Sequence, residues 1–363
     1  MKVLQICHDY EGPFRNVCRQ YAIAFKGHDV TTVYLKGPPN GAISSALGCK
    51  VVYFDQGKMS GFKFSALTQM LNLLRQNQFD VVVAHRYKAI YLAGMMSYLF
   101  KLPTILAVAH EHNVFNRLSR KLFITFWRKK IVVAGVSDSV TQNIESACAT
   151  LSTQNRLFCL PNAVDMSLSA GLLPRKLARQ SLGLAADGFV FGIIGRLVHK
   201  KNHDVLLRAF MKLEVSAKLI IVGDGPLLGT LVDRVKELGI GDRVIFAGFN
   251  PEASRLVSAF DMFVMSSGDQ EAFGIVLLEA MLGKITVLCS DTPGPRSVLA
   301  DTAMYFENDN SDDLTRQLTN AVNMSQSERD ELGEQGYQRL EQEFSYTQFK
   351  RRLSQIPGLE FLS

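Results

Sequence analysis

Glu271 and Glu279 stand eight residues apart, with Phe273, Gly274 and the apolar run Ile275 to Leu278 between them. Ser266, Ser267 and Gly268 have the composition of a loop, and Ile275 to Met281 that of a buried helix. Glu271 then lies in the loop, and Gly274 lets the backbone come close to a ligand where the helix starts. Unpaired N–H groups and the helix dipole favour a phosphate at that point. Glu279, about two turns beyond Glu271, can present a carboxylate to paired hydroxyls such as those of a ribose. A sugar nucleotide has this outline, with hydroxyls at both ends and a diphosphate between.

Two acids flanking an ordinary amphipathic helix would need no ligand, but further residues weigh against that plainer reading. Arg196 follows Gly195, and Lys201 comes five residues after Arg196. Both cations suit a leaving nucleoside diphosphate, which gains negative charge as the glycosidic bond breaks. A surface ion pair is the alternative use for them, and the adjacent Lys200 is the alternative lysine. Gly223-Asp224-Gly225-Pro226 adds a second glycine-rich loop. The chain contains no Asp-x-Asp triplet and no His/Cys cluster at metal-ligand spacing. No metal or other cofactor is therefore expected, the nucleotide sugar being a substrate.

Gly195-Arg196-Leu197 with Lys201, then Gly223-Asp224-Gly225-Pro226, then Glu271 to Glu279, resemble in type and order the motifs of retaining family 4 glycosyltransferases, which have the GT-B fold. Pro161-Asn162-Ala163-Val164-Asp165 is similar to that family's interdomain segment, with Ala163 where glycine is more usual. The resemblance covers nearly the whole chain and is strongest from about residue 160 to 300. It implies catalytic roles for His110, Arg196, Lys201 and Glu271. It implies donor-binding roles for Gly12, Gly195, Gly223, Asp224, Gly225, Phe273, Gly274, Ile275 and Glu279. His110 would contact the transferred sugar, with His112 near enough to compete and a structural histidine as the alternative. Glu271 would hold sugar hydroxyls without acting as a covalent nucleophile, and the anomeric configuration would be retained. Two departures stand out. Asn202 occupies a position where glycine is frequent, and the first strand–helix loop, Asp9 to Arg15, carries Gly12 alone where the family has a glycine pair.

The elements that would position these residues form a regular pattern. Short apolar runs alternate with helical ones, the signature of parallel sheets built from βαβ units. Strands are expected near Val3–Ile6, Thr31–Leu35, Val51–Phe54, Val81–Ala84, Thr104–Val108 and Ile131–Val136. A second set is expected near Val190–Ile194, Lys218–Val222, Val244–Phe246, Met262–Met265, Thr286–Cys289 and Ala303–Phe306. The fold class is α/β, with two Rossmann-like domains whose parallel sheets face across a cleft. The domains expected are an acceptor-binding one over 1–170 and a nucleotide-sugar-binding one over 171–345. By resemblance, 346–363 packs back on the first domain. Ligands of such sheets bind beyond the strands' carboxyl ends, which is where Gly195, Gly223, Glu271 and His110 fall; His85 and Arg86 follow another strand and are further candidates.

At 363 residues, 47% hydrophobic and 20% charged, the chain has ordinary globular composition and length enough for two cores. The net charge of +6 is uneven: the first 170 residues carry +10 and the rest −4. A basic first half suits an anionic lipid or an acidic glycan; nucleic acid is not an expected partner. Six scattered cysteines without a CxxC pair read as buried thiols in a reducing compartment. The N-terminal stretch turns polar too early for a signal peptide, and the longest apolar run, Ala89 to Phe100, is too short to span a bilayer. A cytoplasmic protein is expected, or a peripheral one on the membrane's inner face.

Residues 113–130 carry Arg117, Arg120, Lys121, Arg128, Lys129 and Lys130 with no acid, and Phe115, Leu118, Leu122, Phe123 and Phe126 recur at helical spacing. Such a segment can lie on an anionic membrane surface, or face the core with a solvated basic side. The reading that follows is a retaining glycosyltransferase of hexosyltransferase type. It would move a sugar from a nucleotide-sugar donor, UDP-linked, to a saccharide or lipid-linked saccharide of a growing cell-surface glycan such as lipopolysaccharide. A sugar-nucleotide epimerase of the same fold, or a non-catalytic nucleotide- or glycan-binding protein, is the alternative.

Overall fold

Runs rich in Val, Ile, Leu and Phe, apolar on both faces, form the strands of two wholly parallel sheets, as expected where helices cover each face. The computed structural model describes residues 1–9, 14–36, 49–54 and 64–362. The chain divides into two compact units, Met1–Ala163 with Tyr346–Ser363, and Val164–Ser345. The division falls at Ala163, seven residues before the expected 170. Val164 belongs to the second unit because it pairs with Ser345 and its N–H donates to the Phe344 carbonyl (2.8 Å).

The first unit's strands are β1 (Lys2–Asp9), β2 (Asp29–Lys36), β3 (Lys50–Tyr53), β4 (Val81–His85), β5 (Thr104–Ala109), β6 (Ile131–Gly135) and β7 (Leu157–Cys159). Their order is β3-β2-β1-β4-β5-β6-β7. β7 was not expected: it has three half-buried residues on the sheet's edge, too few for a periodic signal. The C-terminal segment packs on the helix Phe14–Ala24 and the turn after it. Phe349 meets the Tyr21 ring edge-on at 4.9 Å, and Phe361 stacks near Phe25 at 6.5 Å.

The second unit's strands are β8 (Phe189–Ile194), β9 (Ala217–Val222), β10 (Val244–Gly248), β11 (Met262–Met265), β12 (Val287–Ser290) and β13 (Met304–Phe306), in the order β10-β9-β8-β11-β12-β13. The central pair β8 and β11 is anchored at its start by a buried ion pair. Arg179 Nη2 lies 2.8 Å from Asp261 Oδ2, and the same oxygen accepts the Val190 N–H at 2.8 Å. Arg179 is 1% exposed and also donates to the carbonyls of Ala259, Ala186 and Gly188, so the buried cation is fully bonded. In each sheet the strand order turns back beside the first strand, between β1 and β4 and between β8 and β11. This is the switch point where ligands of open α/β sheets bind.

Candidate functional site

β8 ends at Ile194 and its neighbour β11 at Met265, so the loops carrying Arg196 and Glu271 leave the switch point of the second sheet side by side. Hydrogen bonds tie them together. The Gly268 N–H donates to the Lys200 carbonyl (3.0 Å), and Ser266 Oγ donates to the Lys201 carbonyl (2.9 Å). From the end of β12, Ser290 Oγ donates to the Ser267 carbonyl (2.5 Å). Ser266 and Ser267 read from sequence only as loop; their use is a tertiary contact with no local signature. Asn202, in the left-handed region at φ +48, ends the turn His199–Lys201, which accounts for glycine being frequent there. Its Nδ2 donates to Asp309 Oδ1 at 3.0 Å.

Of the two adjacent lysines, Lys201 is the one that reaches the acid: its Nζ lies 2.6 Å from Glu271 Oε2, with side chains 15% and 11% exposed. Burial pushes the Glu271 carboxyl up. The Lys201 charge and hydrogen bond, with the Lys200 charge behind them, outweigh that and hold it below the ordinary value. Lys200 is exposed. Arg196 is exposed too, with no carboxylate partner among the described residues. Gly195 lies against the Lys201 stem, and Gly223 (φ +149) lies so close that a Cβ there would overlap the Gly195 carbonyl oxygen. The Leu197 N–H donates to the Asp224 carbonyl at 3.0 Å, so the loops after β8 and β9 form one surface. The exposed Asp224 carboxylate accepts the Gly225 N–H at 2.7 Å.

Gly274, at φ +83, caps the helix Ile275–Leu282, a conformation that other residues adopt only with strain. Ile275 opens that helix, whose first N–H groups have no partner within it. Phe273 is 3% exposed and meets Phe344 edge-on at 5.8 Å, so its ring packs inside the second unit. Glu279 is the sole charge on this otherwise apolar helix. Burial pushes its carboxyl up to about 7. A half-buried acid with no cation paired to it among the described residues costs stability, which argues for a use other than packing.

In the first unit, His110 directly follows β5, and His85 is the last residue of β4. His85 Nδ1 lies 3.1 Å from His110 Nε2, and Tyr21 meets the His85 ring edge-on at 4.8 Å. Burial pushes His85 down to about 3; burial, then the charges of His85 and Arg86, hold His110 well below its ordinary value. Arg86 pairs with Glu111 at 2.6 Å. His112, the competing histidine, bonds to Ser139 Oγ at 3.1 Å. Gly12 lies outside the described residues. Sequence reasoning placed His85 and His110 on separate strand ends; their contact follows from β4 pairing with β5.

Residues 174–339 match the family described as glycosyl transferases group 1, and residues 16–141 the family described as glycosyl transferase 4-like. The crystal structure of Anabaena HepE in complex with UDP is similar with a TM-score of 0.84, covering 98% of this chain and 99% of that one at 17% identity. The chain belongs to the GT-B glycosyltransferases of the family-4-like type. Among curated relatives, an N-acetylgalactosaminyltransferase of Campylobacter jejuni acting on a diphospho-undecaprenol-linked acceptor is 28% identical over 58% of this chain. The lipopolysaccharide core biosynthesis glycosyltransferase LpsD of Rhizobium meliloti is 35% identical over 38%. The chain spans 56% and 40% of the length of these two relatives.

Proposed function

We propose that this glycosyltransferase moves a sugar, with retention, from a UDP-linked donor to a saccharide of a growing cell-surface glycan, on the scale of a lipopolysaccharide core. The observation that carries the reading is the Lys201–Glu271 pair at the second sheet's switch point, with Arg196, exposed and without a carboxylate partner among the described residues, on the loop before it. Glu279 holds the ribose hydroxyls, and the helix N-terminus at Gly274 and Ile275 receives the diphosphate. As the glycosidic bond breaks, its electron pair passes to the phosphate oxygen, and Arg196 and Lys201 stabilise the charge that appears. The acceptor hydroxyl attacks from the face the phosphate leaves, and its proton goes to that oxygen. Glu271 holds hydroxyls of the transferred sugar. Fixed cations supply the stabilisation, so no resident metal is required.

The nucleotide supports in this reading are the UDP complex of the Anabaena neighbour and the geometry around Gly223 and Glu279. The Campylobacter relative's lipid-linked acceptor supports an acceptor held at a membrane, which this chain would meet as a peripheral protein. Thermal stabilisation by a panel of nucleoside diphosphates and their sugars tests it, since a ligand binding only the folded state raises Tm. UDP and one UDP-sugar should shift Tm. No shift with any nucleotide would defeat the proposal.

A further inference from the structure

Ser290 ends β12, and the chain turns at Asp291 and Thr292 into the short helix Pro293–Leu299. That helix opens with Pro293-Gly294-Pro295, of which Gly294 and Pro295 are buried. Each proline holds its own φ near −65°, so the turn around the glycine is stiff. β12 pairs with β11, and the turn after β12 meets the loop after β11 at Glu271. A Cβ on residue 294 would stand 2.0 Å from the Glu271 carbonyl oxygen and 2.8 Å from the Ala272 carbonyl carbon. Cβ atoms do not approach closer than 3.0 Å, and both contacts are backbone, so a side chain at 294 must push the Glu271 peptide by about 1 Å. The loop ahead of Glu271 is tied elsewhere: Ser290 Oγ donates to the Ser267 carbonyl (2.5 Å), the Gly268 N–H to the Lys200 carbonyl (3.0 Å), and Asn308 Nδ2 to Asp269 Oδ1 (3.2 Å). A push from 294 therefore falls on Glu271 and Ala272.

We propose that Gly294 is a positioning residue for Glu271: the proline-flanked turn is the seat that sets the distance between this carboxylate and Lys201 Nζ, and through it the rate of sugar transfer. The inference rests on the transferase reading of the Lys201–Glu271 pair, and adds to it a buried residue that acts through Glu271. A plainer use of glycine here is local. A Cβ on the residue before a proline crowds the proline ring when the backbone is helical, as it is at 294. The two uses separate experimentally, because Pro295→Ala removes that crowding and leaves the overlap with Glu271.

The test uses the full chain. Gly294→Ala should slow the release of nucleoside diphosphate from a UDP-sugar by about 10- to 100-fold, as an ångström of misplacement can, while the Kd for UDP changes by less than about threefold. Adding Pro295→Ala to Gly294→Ala should leave the variant as slow. In a Glu271→Ala background Gly294→Ala should cost little more, since a residue acting through Glu271 is not additive with it. Carbon-13 spectra of labelled glutamate, assigned with Glu271→Gln, give a readout that needs no substrate. Burial raises the Glu271 carboxyl, and the Lys201 charge and hydrogen bond that hold it down would be weakened, so it should titrate higher in Gly294→Ala than in wild type. Ser290→Ala removes a tie behind the same loop and should move turnover and titration in the same directions; it serves if Gly294→Ala does not fold. Wild-type turnover in Gly294→Ala, recovery on adding Pro295→Ala, full additivity with Glu271→Ala, or equal losses of turnover and UDP affinity overturns the proposal. No release from any UDP-sugar by wild type would remove the transferase reading, and the carboxyl titration would still decide whether Gly294 sets the pair.

Discussion

Lys201 Nζ and Glu271 Oε2 are 2.6 Å apart on loops leaving two neighbouring strands, so the proposed catalytic cation is held by a carboxylate of the adjoining loop. That pairing sets the cation's position and keeps Glu271 ionised against its burial. Glu271→Ala should lower turnover while leaving nucleoside diphosphate affinity nearly unchanged, since this acid is assigned to the sugar. Glu279→Ala should weaken donor and free nucleoside diphosphate alike. Titration calorimetry with UDP checks both. Equal losses of UDP affinity in the two variants would contradict the assignment.

Glu279 gives a pH dependence whose sign is fixed. Its folded value of about 7 lies above the ordinary 4.5, so the folded chain binds the proton more tightly. The stability this contributes is present below pH 4.5 and is lost as pH rises through about 7. Glu279→Gln should therefore leave the urea midpoint nearly unchanged at pH 4 and raise it at pH 8. A midpoint change that is the same at both pH values would contradict a desolvated carboxyl.

His85 runs the other way. Burial depresses it from 6.5 to about 3, so below pH 6.5 the unfolded chain takes up a proton that the folded chain refuses. Stability from this site is complete above 6.5 and falls on acidification by about 1.4 kcal/mol per pH unit, down to about 3. Nitrogen-15 resonances of His85 should show a neutral ring at pH 5. An imidazolium there would show that the ring contact at 3.1 Å is not between two neutral histidines.

Asp261 should matter for folding alone. Its carboxylate pairs with the buried Arg179 and accepts the N–H that starts β8. Asp261→Ala leaves a buried cation without its partner and should cost about 3–5 kcal/mol, read as a lowered urea midpoint. A change below about 1 kcal/mol would mean the other carbonyl bonds of Arg179 suffice.

Much of the fold was legible because buried parallel strands are near-continuous apolar runs: twelve expected strands match β1–β6 and β8–β13, with ends shifted by a few residues. β7 escaped because three half-buried residues carry no period. Motif spacing located Arg196, Lys201, Gly223 and Glu271 on loops at strand ends, but not the partners. Which lysine meets Glu271 depends on a turn ended by a left-handed Asn202. The packing of Phe273 on Phe344 had no local signature, because an aromatic beside a ligand loop reads alike whether it faces the ligand or another ring. In the segment 113–130, helical spacing marked the apolar residues without saying which face the core: Phe123 is buried, and Leu118, Leu122 and Phe126 are exposed.

The central claim is that Arg196 and Lys201 stabilise a departing nucleoside diphosphate. Its most direct test is the release of free nucleoside diphosphate from a panel of nucleotide sugars without acceptor, in excess EDTA, by wild type and Arg196→Ala. The account predicts slow release from a UDP-sugar by wild type, undiminished by chelation, and a loss of about 100-fold or more in Arg196→Ala with folding intact. Wild-type release by Arg196→Ala, or complete loss of wild-type activity on chelation, would contradict it.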